Sequence, residues 1–152
     1  MAEPSADYEL GDPVFSDGDV LTLESDGLGV AGDAVTISDG QVTPTVAEDD
    51  DFIGCLYEDA PDAGEGVSVN LQGIVVANVA SGVAAGDTLV ATTTEGQLVA
   101  SAAGTTQAVD EGGTASYTLA MAHPIALTDA GAVDGLSAGG GLNVNAAIVK
   151  LP

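Results

Sequence analysis

Short apolar segments separated by glycine-containing turns constrain this chain most, and residues 67–100 contain several of them. Val67, Val69 and Leu71 alternate with polar residues, which is the period of a β-strand with one buried and one wet face. Three further apolar runs follow, at residues 74–79, 88–92 and 97–101. The last two flank Glu95-Gly96, a pair that favours a tight hairpin. The stretch therefore predicts a β-meander.

The chain contains a second, similar copy of this arrangement. Four segments recur in the same order: residues 32–35 as 86–89, 39–42 as 95–98, 56–60 as 126–130, and 66–70 as 141–145. Because the spacing between the copies grows along the chain, an insertion is expected at about residues 102–116. We predict pseudo-repeats at about 20–76 and 77–152. Chance similarity between segments rich in glycine, alanine and aspartate is the alternative explanation.

Glycine and proline interrupt the chain too often for a long helix, since 21 glycines and 6 prolines are spread over 152 residues. We therefore predict an all-β fold, a compact β-barrel or sandwich built from two pseudo-repeated β-meanders. Residues 13–152 should form a single domain, preceded by a flexible, acidic N-terminal arm at residues 1–12. The chain start lacks the basic residues and apolar run of a signal peptide, and no stretch has the length of a membrane span.

The charge balance excludes several classes of partner. Lys150 is the only Lys or Arg against 24 acidic residues, which gives a formal net charge of −23. Such a chain cannot neutralise phosphates, so we expect it to bind neither nucleic acid nor an anionic membrane. Self-repulsion destabilises the compact state in dilute buffer, whereas the screening length falls to about 3 Å at 1 M salt. The acidity therefore predicts adaptation to high salt. An ordinary acidic protein is the alternative.

Residues able to perform covalent chemistry are few. Cys55 and His123 are single representatives of their types, so a Cys-His dyad is formally possible. In the internal repeat, however, Cys55 aligns with Ile125 or, after a shift of one residue, with Ala126, which indicates a small core residue. His123 precedes Pro124 and is interpreted as a polar strand or loop residue. We predict that the protein is not an enzyme and has no catalytic residues and no cofactor.

Acidic clusters offer oxygen ligands without the spacing of a calcium loop. Residues 17–19 (Asp-Gly-Asp) and 48–51 (Glu-Asp-Asp-Asp) do not fit the EF-hand pattern. Residues 27–33 resemble one unit of a calcium-binding β-roll but do not repeat in tandem, and they lack the helix and basic residue of a nucleotide-binding loop. One histidine and one cysteine cannot supply the usual zinc or iron ligands. We predict no metal site.

The order of turns and strands resembles the small capsid cement, or head decoration, proteins of tailed viruses. In that family an apolar strand ends in Ile-Gly, an alternating valine strand follows, and a Gly-Asp turn leads to a hairpin with glycine at its tip. The matching positions here are Ile53-Gly54, Val67, Val69, Leu71, Gly73, Gly86-Asp87 and Gly96. The resemblance covers about residues 13–101, with a weaker match from residue 122 onward. The insertion at residues 102–117 and the extreme acidity depart from the family pattern, and the acidity would suit a haloarchaeal tailed virus.

The resemblance implies a structural function on the outer surface of a virion, with the protein made in the host cytoplasm. Such proteins are similar in forming homo-oligomers, commonly trimers, that bind the outside of an icosahedral capsid. There they stabilise contacts between subunits of the major capsid protein, and an N-terminal arm often becomes ordered on the shell. The alternative from the residues is another structural or host-surface-binding module, such as a tail, spike or surface-layer component.

Overall fold

The computed structural model describes residues 10–14, 19–47, 51–101, 106–111, 115–120, 123–131 and 145–152, with only the backbone for 106–111 and 115–120. Within these ranges the chain forms twelve strands and no helix, so the all-β prediction is confirmed. The strands are β1 (Val20–Glu24), β2 (Ala34–Ser38), β3 (Gln41–Pro44), β4 (Gly54–Leu56), β5 (Gly66–Asn70), β6 (Ile74–Asn78), β7 (Leu89–Ala91), β8 (Leu98–Ala100), β9 (Thr106–Glu111), β10 (Ala115–Ala120), β11 (Ile125–Ala126) and β12 (Ala146–Lys150).

The first five strands form one antiparallel sheet in the order β1-β5-β4-β2-β3. β1 pairs with β5 along its whole length, and the short β4 joins β5 to β2 through Cys55, which lies opposite Asn70 of β5. The two edge strands approach each other where Ser25, directly after β1, makes a parallel bridge with Val42 of β3. The sheet therefore curls until its first and last strands touch at this point.

Five later strands repeat this arrangement. β12 pairs with β6 on one side and with β11 on the other, while β7 and β8 form a hairpin. An antiparallel bridge between Thr88 and Ile125 joins β7 to β11, and a parallel bridge between Val79 and Leu98 joins the end of β6 to β8. Followed through these contacts, the order is β6-β12-β11-β7-β8. It corresponds strand for strand to β1-β5-β4-β2-β3, and we call the two groups the first and second strand sets.

The correspondence extends to individual backbone hydrogen bonds. The Gly32 N–H donates to the Leu56 carbonyl at 2.8 Å, and the Gly86 N–H donates to the Ala126 carbonyl at 2.7 Å. Further equivalent donor and acceptor pairs are Ser25 to Glu65 with Val79 to Asn145, Tyr57 to Ser68 with Leu127 to Ile148, Thr45 to Ala34 with Ser101 to Thr88, and Asp26 to Val42 with Ala80 to Leu98. These bonds assign each residue of one set its counterpart in the other.

One predicted match of the repeat is out of register. β12, Ala146–Lys150, takes the place of β5, Gly66–Asn70, whereas residues 141–145 had been expected there. Residues 141–145 resemble Gly66–Asn70 in letters, but strand pairing follows burial, and the first four residues of β12 are all buried. All of residues 141–145 except Asn145 lie outside the described residues.

The predicted meander over residues 67–100 is wrong, although its β7–β8 hairpin is present. β5 pairs with β1 and β4, whereas β6 pairs with β12, so these consecutive strands belong to different sheets. The reason is packing: Val67 and Val69 belong to a cluster with Leu56, while Val75 and Ala77 belong to another. The predicted insertion overlaps β9 and β10, which pair only with each other among the described strands.

Apolar side chains form two main clusters. The cluster of the first strand set consists of Val35, Val42, Leu56, Val67 and Val69. The larger cluster belongs mainly to the second set, but it also includes Ala34 and Cys55 from β2 and β4 of the first. The two sets therefore share part of their core.

Residues 10–14 pack along the edge of β6 that faces away from β12. The Gly11 N–H donates to the Val76 carbonyl at 2.8 Å, and the Val76 N–H donates to the Asp12 carbonyl at 3.0 Å. Leu10 and Val14 add apolar contacts to the small cluster of Val76, Ala146 and Ile148. Residues 10–12, which were predicted to belong to the flexible arm, are therefore packed against β6. The other residues of the predicted arm, 1–9, lie outside the described part of the chain.

Candidate functional site

The two strand sets contain equivalent turns that are held by an aspartate side chain. The Asp33 Oδ2 accepts a hydrogen bond from the Val30 N–H at 3.0 Å, and the Asp87 Oδ2 accepts one from the Ala84 N–H at 2.9 Å. A second carboxylate supports each turn, since the Ala31 N–H donates to Asp59 and the Ala85 N–H donates to Asp129. A carboxylate that accepts a local backbone N–H is a standard way to fix a turn. These acidic residues therefore have a structural role.

Asp33 also joins the two strand sets. Its Oδ1 accepts a hydrogen bond from the Asn78 Nδ2 at 2.9 Å, and Asn78 lies at the end of β6. Asp33 is only 5% exposed, and burial raises the pKa of its carboxyl, although the hydrogen bonds from Val30 and Asn78 lower it. A buried carboxylate is costly unless hydrogen-bonded, so this residue makes the contact between the sets sensitive to its protonation state.

The tip of the β7–β8 hairpin forms a second junction between the sets. The Ala34 N–H donates to the Gly96 carbonyl at 2.7 Å, and the Gly96 N–H donates to the Thr45 carbonyl at 2.8 Å. Gly96 has φ +69, and a Cβ at this position would overlap the side chain of Asp33. The glycine at this tight turn thus allows the backbone of the second set to contact Asp33 of the first set directly.

The structure does not support Cys55 as a nucleophile. Cys55 is fully buried in β4, and burial, with a smaller effect of the Asp33 charge, raises the pKa of its thiol to about 12. Because the thiolate is the reactive form, this environment suppresses nucleophilic chemistry at neutral pH. His123 is half-buried, and no hydrogen bond joins it to Cys55 within the described residues. The absence of an enzymatic activity stays a prediction.

The candidate metal ligands are only partly described. Residues 17, 18 and 48–50 lie outside the described residues, and Asp33 of the β-roll-like segment 27–33 is bonded within its own turn and to Asn78. Among the residues that the structure describes, no group of three or more His, Cys, Asp or Glu side chains is arranged to hold a metal ion.

Exposed apolar side chains distinguish the first strand set from the second. Seven of the nine large exposed apolar residues in the described ranges belong to the first set, namely Val20, Leu21, Leu28, Val30, Ile37, Val46 and Tyr57. At the counterparts of Leu28, Val30 and Ile37 the second set has Gly82, Ala84 and Ala91. The sequence alone did not reveal this asymmetry. Recognising it required a residue-by-residue alignment of the two copies and the exposure of each side chain. We call the three residues of this comparison, Leu28, Val30 and Ile37, the apolar surface of the first set.

No protein-family model matches the sequence, and no curated protein matches it. A helix able to cross a membrane is absent from the part of the chain that the structure describes. The all-β fold and the asymmetric apolar surface are thus the structural observations that bear on function.

Proposed function

We propose that this protein is a structural virion component that binds the outside of an icosahedral capsid in high salt and stabilises contacts between subunits of the major capsid protein. The observation that carries the proposal is the apolar surface of the first set. Exposed apolar residues are typical of interaction sites, and at the positions equivalent to Leu28, Val30 and Ile37 the second set carries the small residues Gly82, Ala84 and Ala91.

The acidity is consistent with a partner bound through apolar contacts. At molar salt, interactions between exposed charges are screened over a few ångströms, so charge pairs contribute little to affinity. Apolar burial does not require charge complementarity, and it contributes about 25 cal/mol for each Å² removed from water. Val30 and Ile37 would thus contribute to shell binding, with the many carboxylates keeping the free protein soluble.

Binding to shells tests the proposal directly. Shells of a haloarchaeal tailed virus, stripped of accessory proteins, are mixed with the purified protein in about 3 M salt, where charge steering is screened. We expect co-sedimentation that saturates at a repeating stoichiometry and a rise in the temperature at which the shells rupture. A protein that does not sediment with the shells contradicts the proposal and leaves a tail, spike or surface-layer module as the better candidate.

Equivalent positions of the two sets provide a matched control. Val30→Ser removes an exposed apolar side chain from the first set, and we expect it to weaken shell binding roughly tenfold, the effect of losing one buried valine. Ala84→Ser changes the counterpart in the second set and should leave shell binding unchanged. Equal effects of the two substitutions would mean that the apolar surface of the first set does not bind the shell.

A further inference from the structure

The two strand sets present equivalent strand edges to the outside. The Ser25 N–H donates to Glu65 and the Val79 N–H donates to Asn145, so Ser25 and Val79 direct their backbone groups toward the paired strand. Because this direction alternates along an antiparallel strand, residues an odd number of positions earlier direct their backbone groups away from the paired strand. Thr22 of β1 is therefore the counterpart of Val76 of β6, and both direct their backbone groups outward.

The edge of β6 is occupied. Val76 exchanges hydrogen bonds with Gly11 and Asp12, and the Val14 N–H donates to the Ile74 carbonyl at 2.8 Å. Pro13 forms an antiparallel bridge with Val75, which is only 1% exposed. An N-terminal segment of this chain therefore acts as an additional short strand on this edge.

The equivalent edge of β1 is not covered by any described residue over its first three residues. No described residue hydrogen-bonds to the outward backbone groups of Val20 or Thr22. Leu21, the counterpart of Val75, is 48% exposed although it lies on the same face of the sheet as the buried Val69 opposite it. An uncovered strand edge with exposed apolar side chains is a site for pairing with another chain segment.

We propose that the N-terminal residues 2–9 of a second copy of this chain pair with the β1 edge at residues 20–22. The segment continues directly from residues 10–14, which occupy the equivalent edge of β6. Its sequence alternates as a half-buried strand does, with Ala2, Pro4, Ala6 and Tyr8 separated by Glu3, Ser5, Asp7 and Glu9. Proline is tolerated in a strand added to an edge.

The position of Leu10 favours a second copy over the chain's own arm. Leu10 packs against Gly32, and Gly11 packs against the carbonyls of Leu56 and Tyr57. The arm of the same chain would have to turn back over β4 and β5 to reach β1, whereas an arm from a neighbour can approach the edge in an extended form. Each chain gives one arm and accepts one, and such an assembly closes into a ring when the rotation between copies is a whole fraction of a turn.

Charge predicts an unusual dependence on salt. The arm carries Glu3, Asp7 and Glu9, and the β1 edge is flanked by Asp19 and Glu24. These like charges repel in dilute buffer and are screened at molar salt. Self-association should therefore strengthen as salt increases, the reverse of an interface held by ion pairs. The inference concerns the oligomer itself and does not require the proposed binding to capsids.

The test measures mass by light scattering across a protein concentration series, without shells, in about 1 to 4 M salt, the range in which screening is strong. Four proteins are compared: the full chain, a chain lacking residues 1–9, Thr22→Pro and Thr22→Ala. Thr22→Pro removes an outward N–H without removing a bond to β5, whereas Thr22→Ala keeps that N–H. Inaccessibility of the Cys55 thiol checks that each variant is folded.

We expect the full chain and Thr22→Ala to form the same oligomer, and the truncated chain and Thr22→Pro to dissociate at least about tenfold more readily, as expected for a lost edge contact. The truncated chain keeps residues 10–14, so it tests the inference even if Thr22→Pro does not fold. A monomeric full chain overturns the proposal, as does an oligomer that is unaffected by truncation. Slow hydrogen exchange at the Thr22 amide in a monomer would assign the edge to the chain's own arm and also overturn it.

Discussion

Asp33 and Asp87 hold equivalent turns, yet only Asp33 also bonds to the opposite strand set. Each accepts a hydrogen bond from the backbone N–H three residues earlier, at 3.0 and 2.9 Å. Asp33 in addition accepts from Asn78 and is almost fully buried, whereas Asp87 is half-buried. The Asp87 turn is thus stabilised only within its own set, whereas the Asp33 turn also contributes to the contact between the two sets.

Substitution of these two residues by alanine should therefore have unequal effects. Asp33→Ala leaves the Val30 N–H and the Asn78 amide without their acceptor in a buried region, which costs about 1–3 kcal/mol for each unsatisfied group. Asp87→Ala removes a local bond in an exposed turn and should cost about 0.5–1.5 kcal/mol. Denaturant unfolding at constant high salt measures both. Equal losses would show that Asp33 does not stabilise the contact between the sets.

The raised pKa of Asp33 predicts a specific pH dependence of stability. Because burial favours its protonated form, the folded state binds this proton more tightly than the unfolded state. This contribution to stability is complete below the ordinary aspartate pKa of about 4 and is lost as the pH rises through the higher pKa of the folded state. Asp33→Asn, which removes the titration, is the matched control.

The measurement is the difference in unfolding free energy between the natural chain and Asp33→Asn at a series of pH values in high salt. Taking the difference removes the repulsion that the other carboxylates contribute to both proteins. The stability of the natural chain relative to Asp33→Asn should fall as the pH rises above about 4. A difference that stays flat or rises would mean that burial does not control this carboxyl.

The sequence predicted the repeated turns and the β7–β8 hairpin because turn chemistry is local. The Gly-Asp turn before Ala34 and the hairpin glycine before Gln41 have recognisable counterparts before Thr88 and Gln97, and both hairpins form. The last strand was misplaced because a pattern such as Gly-Leu-Asn-Val-Asn carries alternation but not burial. The contact between Asp33 and Asn78 was beyond prediction, since 45 residues separate them and neither belongs to a repeated motif that implies the pair.

Cys55 should be unreactive in the folded protein. Its buried thiol has a pKa of about 12, so thiol reagents at pH of about 8 should modify it only at the rate of unfolding. Because the folded state keeps the thiol neutral, burial of Cys55 contributes to the free energy of unfolding below the unfolded pKa of about 8.5. This contribution is lost as the pH rises toward the folded pKa of about 12. Modification is followed by mass, with Cys55→Ala as the blank. Rapid labelling of the folded chain would contradict the buried assignment.

The junction at the β7–β8 hairpin can be tested with two equivalent glycines. Gly96 and Gly40 lie at corresponding hairpin tips and both have positive φ, +69 and +80. Alanine at either position incurs the backbone strain of this region, about 1–2 kcal/mol. At Gly40 the added Cβ would have no atom within 4 Å, whereas at Gly96 it would overlap Asp33. Gly40→Ala therefore measures strain alone.

Gly96→Ala should be clearly more destabilising than Gly40→Ala, by about 1–3 kcal/mol, the usual cost of overpacking a close contact. The additional loss arises because the hairpin must move away from Asp33 and so weakens its bonds to Ala34 and Thr45. Thermal and denaturant unfolding in the same high-salt buffer measure the difference. If the two variants lose the same stability, the hairpin tip does not hold the strand sets together. If Gly96→Ala loses less stability in an Asp33→Ala background than in the natural chain, the additional loss arises from the contact between residue 96 and Asp33.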